Sequence, residues 1–187
     1  MKTIVFDLEM NQPSGTIIEI GAVKVDLKNR RIEDRFQSFC RLDNEDLNPE
    51  ITTLTNIQPE DLTKAPHFKD ASLQFWKWFS EAGCGKRLTA WGHDTDILKK
   101  ACDKQSIPYP EKIKVFDLCS ISEVFRFAAD FPKKHRGGLK SSLEGFQIPF
   151  EGSQHRALDD AQATAQLFIH LYQMARKSFQ VQSLFKS

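Results

Sequence analysis

The chain has 187 residues, 40% of them hydrophobic and 27% charged, with a formal net charge of +1. That is one ordinary globular domain with enough apolar material for a core, not a disordered or strongly basic chain. The near-zero charge excludes a large basic field for long duplexes, though an enzyme gripping a few phosphates through metal needs little surplus Lys or Arg. Cys40, Cys84, Cys102 and Cys119 form no C-x-x-C pair, so a zinc knuckle or redox motif is not expected, and scattered reduced thiols suit a cytoplasmic setting. The apolar start before Asp7 is too short for a signal peptide, and no run is long enough to cross a membrane.

In chain order, Thr3 to Leu8 is apolar on both faces, as a buried strand should be. Thr16 to Asp26 continues as a second strand through Ile17, Ile18, Ile20, Ala22, Val23 and Val25. Asn29 and Arg30 offer a turn into a third strand over Arg31 to Phe39, which completes an antiparallel meander. Leu47 to Pro66 reads as loop with a short helical piece near Gln58 to Leu62. Phe68 to Phe79 carries apolar residues at helical spacing. Arg87 to Trp91 is a strand leading to a helix over Asp94 to Lys104. Ile113 to Phe116 is another strand, leading to a helix from Asp117 to Ala128. A basic loop, Lys133 to Gly138, precedes a short helix over Leu139 to Phe146. The last helix runs from Ala157 to Arg176, leaving 177–187 as a short tail after a domain of residues 1–176. Strands first, then strands alternating with helices, argue for an α/β sheet covered on both faces.

Three acidic elements carry potential chemistry. Asp7 and Glu9 are two apart on a strand and so share a face. Carboxylates beside a buried strand are costly unless paired, protonated or bound to a cation, whereas a strand ending at Phe6 would leave both solvated. Asp160 borders the stripe Ala157, Ala161, Thr164, Phe168, Leu171 and Ala175 at the first turn of the last helix, with His155 just before it. Acids in a first turn also complement the helix dipole without further function. Trp91-Gly92-His93-Asp94-Thr95-Asp96 lies where a strand opens into a helix, the usual ligand position in open α/β sheets. Asp94 shares a face with Ile97 and Leu98, while the corresponding neighbours of Asp96 are Lys99 and Lys100. Either Asp could instead cap the helix.

Taken together, D-x-E on the first strand, an Asp opening a middle helix and H-x(4)-D at the final helix resemble the DEDDh family of 3′–5′ exonucleases. The resemblance includes Ile51-Thr52-Thr53-Leu54-Thr55-Asn56-Ile57, similar to an L-T-G-I segment, and His155-Arg156-Ala157-Leu158-Asp159-Asp160-Ala161. The W-G-H-D motif departs from H-N-x-x-F-D and is similar to the subgroup of histone-mRNA and small-RNA 3′ exonucleases. The resemblance implies an RNase H-like mixed five-stranded sheet flanked by helices on both faces. It also implies two divalent cations, Mg²⁺ or Mn²⁺, about 3.5–4 Å apart. Asp7, Glu9 and Asp160 would hold one, and Asp7 and Asp94 the other, with His155 as general base. Met10, Leu54 and Thr55 would hold the terminal nucleotide of a single-stranded 3′ end, RNA favoured over DNA. The Lys133 to Arg136 run could contact phosphates, although charge runs are more often merely solvated.

Overall fold

A computed structural model describes residues 1–132 and 137–179. The Lys133 to Arg136 run and residues 180–187 lie outside the described residues. The chain forms β1 (Lys2–Met10), β2 (Ile17–Asp26) and β3 (Arg31–Phe39), then α1 (Pro49–Thr55), α2 (Pro59–Thr63) and α3 (Phe68–Glu81). The second half alternates: β4 (Arg87–Ala90), α4 (Asp94–Lys104), β5 (Lys114–Asp117), α5 (Leu118–Ala128), α6 (Leu139–Gly145) and α7 (Ala157–Phe179).

The five strands form one mixed sheet in the order β3-β2-β1-β4-β5. The meander is antiparallel, whereas β1–β4 and β4–β5 are parallel. β1 therefore lies at the centre, buried on both faces, which is why Thr3 to Leu8 reads as an unbroken apolar run. Its odd and even residues serve different cores. Ile4, Phe6 and Leu8 pack with Phe75, Trp76 and Leu98 from α3 and α4. Val5 packs with Leu118, Leu143, Leu167 and Leu171 from α5, α6 and α7. Strand alternation then places Asp7 and Glu9 on the face of Val5, toward α7.

The structure departs from the sequence reading in three places. β1 continues through Met10, so Asp7 and Glu9 are strand residues held in register against Gly21 and Glu19. The loop expected after Leu47 contains α1, whose run of Thr and β-branched residues has weak helix propensity. Its ends supply what its interior lacks. Asn48 accepts the Glu50 N–H at 2.8 Å, Pro49 opens the helix, and Asn56 closes it at φ 57°. Finally, α7 continues to Phe179 rather than stopping at Arg176.

Gly21 sets how closely α7 approaches the sheet. A Cβ at Gly21 would lie 2.1 Å from the Ala157 carbonyl carbon and 2.1 Å from the Leu158 nitrogen. Both are backbone atoms at the start of α7, so no side-chain rotation relieves the clash. Gly21→Ala is expected to lower stability by about 1–3 kcal/mol or more through overpacking. Urea denaturation checks this, and an unchanged midpoint would contradict the close approach.

Candidate active site

The first turn of α7 sits over β1 because Gly21 leaves room for it. That contact carries Asp160 to Asp7 and Glu9. From the other side, the turn after β4 delivers Asp94, the first residue of α4. This turn is tied down by Asp117, whose carboxylate accepts the Gly92 N–H at 3.0 Å and the Cys119 N–H at 2.9 Å. A cavity of about 390 Å³ results, lined by Asp7, Glu9, Asp94, His155 and Asp160 among others. Asp94 faces the cavity, while Asp96 is exposed and is not among its lining residues.

Electrostatically the site is overloaded. Burial, followed by the charges of Asp94, Glu9 and Asp160, holds the Asp7 carboxyl well above the usual range. Burial, then Asp160 and Glu19, pushes Glu9 up to about 8. Burial likewise raises Asp94 and Asp160 to about 6 each. Asp7 and Asp94 face each other closely enough to share a hydrogen bond when one of them is protonated. Among the described residues, none of the four carboxylates belongs to an ion pair.

This donor set fits a hard divalent cation. One ligand atom each from Glu9, His155 and Asp160 lie within 4.8 Å of one another. Carboxylate oxygens favour Mg²⁺ or Mn²⁺ chemistry. His155 itself is exposed, has φ 60°, and donates its backbone N–H to Asp160 Oδ2 at 2.8 Å. The imidazole therefore hangs at the cavity mouth from a backbone pinned to one of the acids.

Met10, Leu54 and Thr55 do not line this cavity. Met10 borders a separate one of about 370 Å³ with Ile97, Lys100 and Lys104. The Leu54 side chain is 50% exposed. The Thr55 hydroxyl is buried, donates to the Ile51 carbonyl at 2.8 Å and accepts the Ile57 N–H at 3.1 Å, so it is spent on ending α1. Sequence reasoning overlooked Lys140 and Phe150, which do line the carboxylate cavity. It also overlooked Gly21 and Glu19 on β2. A glycine inside an apolar strand signals close backbone approach, and an acid two residues before it stands out in such a run.

An RNase H-like sheet with four carboxylates and a histidine converging on its centre has the fold and constellation of a DEDDh-type 3′–5′ exonuclease domain. Residues 4–168 match the RNase T family, described as exonucleases, and the chain belongs to that family. The 3′–5′ exonuclease DinG of Staphylococcus epidermidis is 31% identical over 157 residues, covering 84% of this chain and 16% of that protein. DNA polymerase III PolC-type of Caldanaerobacter subterraneus subsp. tengcongensis is 28% identical over 177 residues, covering 90% and 11%. The chain thus spans about a sixth or less of the length of these relatives. The solved nuclease domain of 3′hExo, a DEDDh family member bound to rAMP, superposes with a TM-score of 0.79 at 21% identity, covering 92% of each chain.

A pH prediction follows from the raised acids. Each binds its proton more tightly folded than unfolded, so the folded chain holds excess protons from about pH 4, where free carboxyls titrate, to the Glu9 value of about 8. The stability they contribute is present below that window and is lost as pH rises through it. In EDTA, the denaturation temperature should fall between these limits. Mn²⁺ should restore it most at the alkaline end, where the acids are ionised. A flat or rising EDTA profile would contradict the crowding.

Proposed function

We propose that this chain removes nucleoside 5′-monophosphates from single-stranded 3′ ends, RNA in preference to DNA. Two divalent cations, Mg²⁺ or Mn²⁺, would be held by Asp7, Glu9, Asp94 and Asp160. The observation that carries this reading is the convergence of four half-buried carboxylates with raised proton affinity and, among the described residues, no cationic side chain paired to them. Such a group is costly to keep unless its working partner supplies positive charge. When bound, the cations would polarise the phosphodiester and make a water nucleophilic near neutral pH.

The protein's own groups complete the chemistry. Glu9 and Asp160 flank His155, so its ring stands where it can accept the proton of the attacking water. An imidazole nitrogen is the commonest proton acceptor in such sites and suits that task. Lys140 lines the cavity and has no ion-pair partner among the described residues, which leaves its ammonium for a phosphate of the incoming strand. Trp91 and Phe150, also on the wall, offer apolar faces to the terminal sugar or base. Leu54 is an exposed hydrophobic side chain of α1 and would pack on that nucleotide. Thr55 and Met10 would contribute through their backbone.

The W-G-H-D motif and the rAMP-bound 3′hExo domain support RNA. The likeness to a DNA polymerase III chain supports the second reading, the same reaction on DNA. A protein discriminates the two at the 2′-hydroxyl.

Incubation with 5′-labelled single-stranded RNA and DNA should give a ladder shrinking from the 3′ end, faster on RNA and abolished by EDTA. Intact substrates with both Mg²⁺ and Mn²⁺ would overturn the reading, and a faster DNA ladder would favour the second. Asp7→Ala should remove activity. Asp94→Asn should cost far more than Asp96→Asn. His155→Ala should lose about 10²–10⁴-fold in kcat at neutral pH, the range for a general base.

A further inference from the structure

Glu19 is a fully buried acid beside a site already crowded with acids. It lies directly across from Glu9 in the β1–β2 register, just as Gly21 lies across from Asp7. Facing residues of paired strands share a face, so Glu19 points toward α7. Its oxygens meet Arg156 Nε at 3.2 Å and Nη2 at 3.2 Å, the Ala157 N–H at 3.2 Å and Gln37 Nε2 at 2.6 Å. The Arg156 guanidinium in turn lies over the Phe39 ring, 5.4 Å from its centroid.

The two residues that Glu19 grips, Arg156 and Ala157, directly follow His155. Three residues further on is Asp160, whose carboxylate takes the His155 N–H. The segment 155–160 is thus fastened at both ends: to the sheet through Glu19 and to itself through Asp160. A simple anchor would not need a charge here. The single oxygen of a glutamine would suffice to accept the Ala157 N–H without adding a fifth carboxylate beside Glu9, although its Nε2 would turn a donor toward the remaining N–H groups, and buried ion pairs stabilise little over neutral replacements. What the charged, two-pronged pair adds is a fixed direction for the chain at His155.

We infer that Glu19 and Arg156 form a positioning couple that sets His155 and Asp160 against Glu9. Neither residue lines the carboxylate cavity. The couple acts on the rate through the placement of the groups on α7, an inference that rests on the exonuclease reading for its kinetic consequence.

The test pairs kinetics with a structural signal from the metal-free protein. Glu19→Gln and Arg156→Gln should each lower kcat about 10–100-fold, the range for groups that orient metal-site residues. KM for a single-stranded oligonucleotide should stay within about threefold, because uniform substrate binding is untouched. Arg156→Lys, which keeps the charge but not the fork, should fall between wild type and Arg156→Gln. The double variant should lose no more than either single one, since the two act as a unit. In the metal-free protein the imidazole resonance of His155 should shift or broaden in each Gln variant. Wild-type kcat in both variants, additive losses, or an activity loss that merely tracks the unfolded fraction would overturn the couple. An unmoved His155 resonance would overturn it even if the wild-type protein proved inactive, an outcome that by itself would sink only the exonuclease reading. Should Glu19→Gln fail to fold, the Arg156→Lys and Arg156→Gln pair decides by the same criteria.

Discussion

Mutual repulsion among Asp7, Glu9, Asp94 and Asp160 is the constraint around which this domain is arranged. Left to themselves, four carboxylates would separate into water. They stay together because each is attached to an element packed at the centre of the fold, where β1 is buried on both faces. Asp7 and Glu9 cannot leave β1 without slipping the central strand, which would also turn Ile4, Phe6 and Leu8 out of their core. Asp94 and Asp160 are held by the first turns of α4 and α7. Hydrophobic packing, distributed over the two cores, offsets a local electrostatic cost. The site is in effect an excess of negative charge that divalent cations can neutralise, which links the fold's stability to its chemistry.

Two features of β2 make the arrangement possible. Gly21 lets the backbone of α7 lie against the strand opposite Asp7. Glu19 then ties that backbone down opposite Glu9. The D-x-E of β1 is therefore answered across the register by E-x-G on the antiparallel neighbour, one motif carrying two of the carboxylates and the other seating the helix that brings Asp160 and the histidine. Neither β2 residue touches the cavity, yet the separation between α7 and β1 depends on both.

Much of this was legible in the sequence, for identifiable reasons. Strand alternation put Asp7 and Glu9 on one face, and the 3.6-residue stripe of α7 put Asp160 at its border. Comparing the neighbours of Asp94 with those of Asp96 separated a cavity residue from an exposed one. The sheet could be inferred because β1 and β2 have long apolar runs. What escaped was set by tertiary contact. α1 is made of weak helix formers and exists through its caps. Glu19 went unnoticed because its partner, Arg156, is 137 residues away. Lys140 and Phe150 reach the cavity only once α6 and the following segment pack on α7, which no local pattern reveals.

The central claim is that the carboxylate cluster is a cation site aimed at a 3′-terminal phosphate. Its most direct test is anomalous diffraction from crystals of this domain grown with Mn²⁺ and a nucleoside 5′-monophosphate at slightly alkaline pH. The account predicts Mn²⁺ peaks bounded by Asp7, Glu9, Asp160 and Asp94, with the nucleotide phosphate against them and His155 at the open side. Well-ordered crystals with no peak in that cavity, or with Mn²⁺ bound at Asp96 instead, would contradict it.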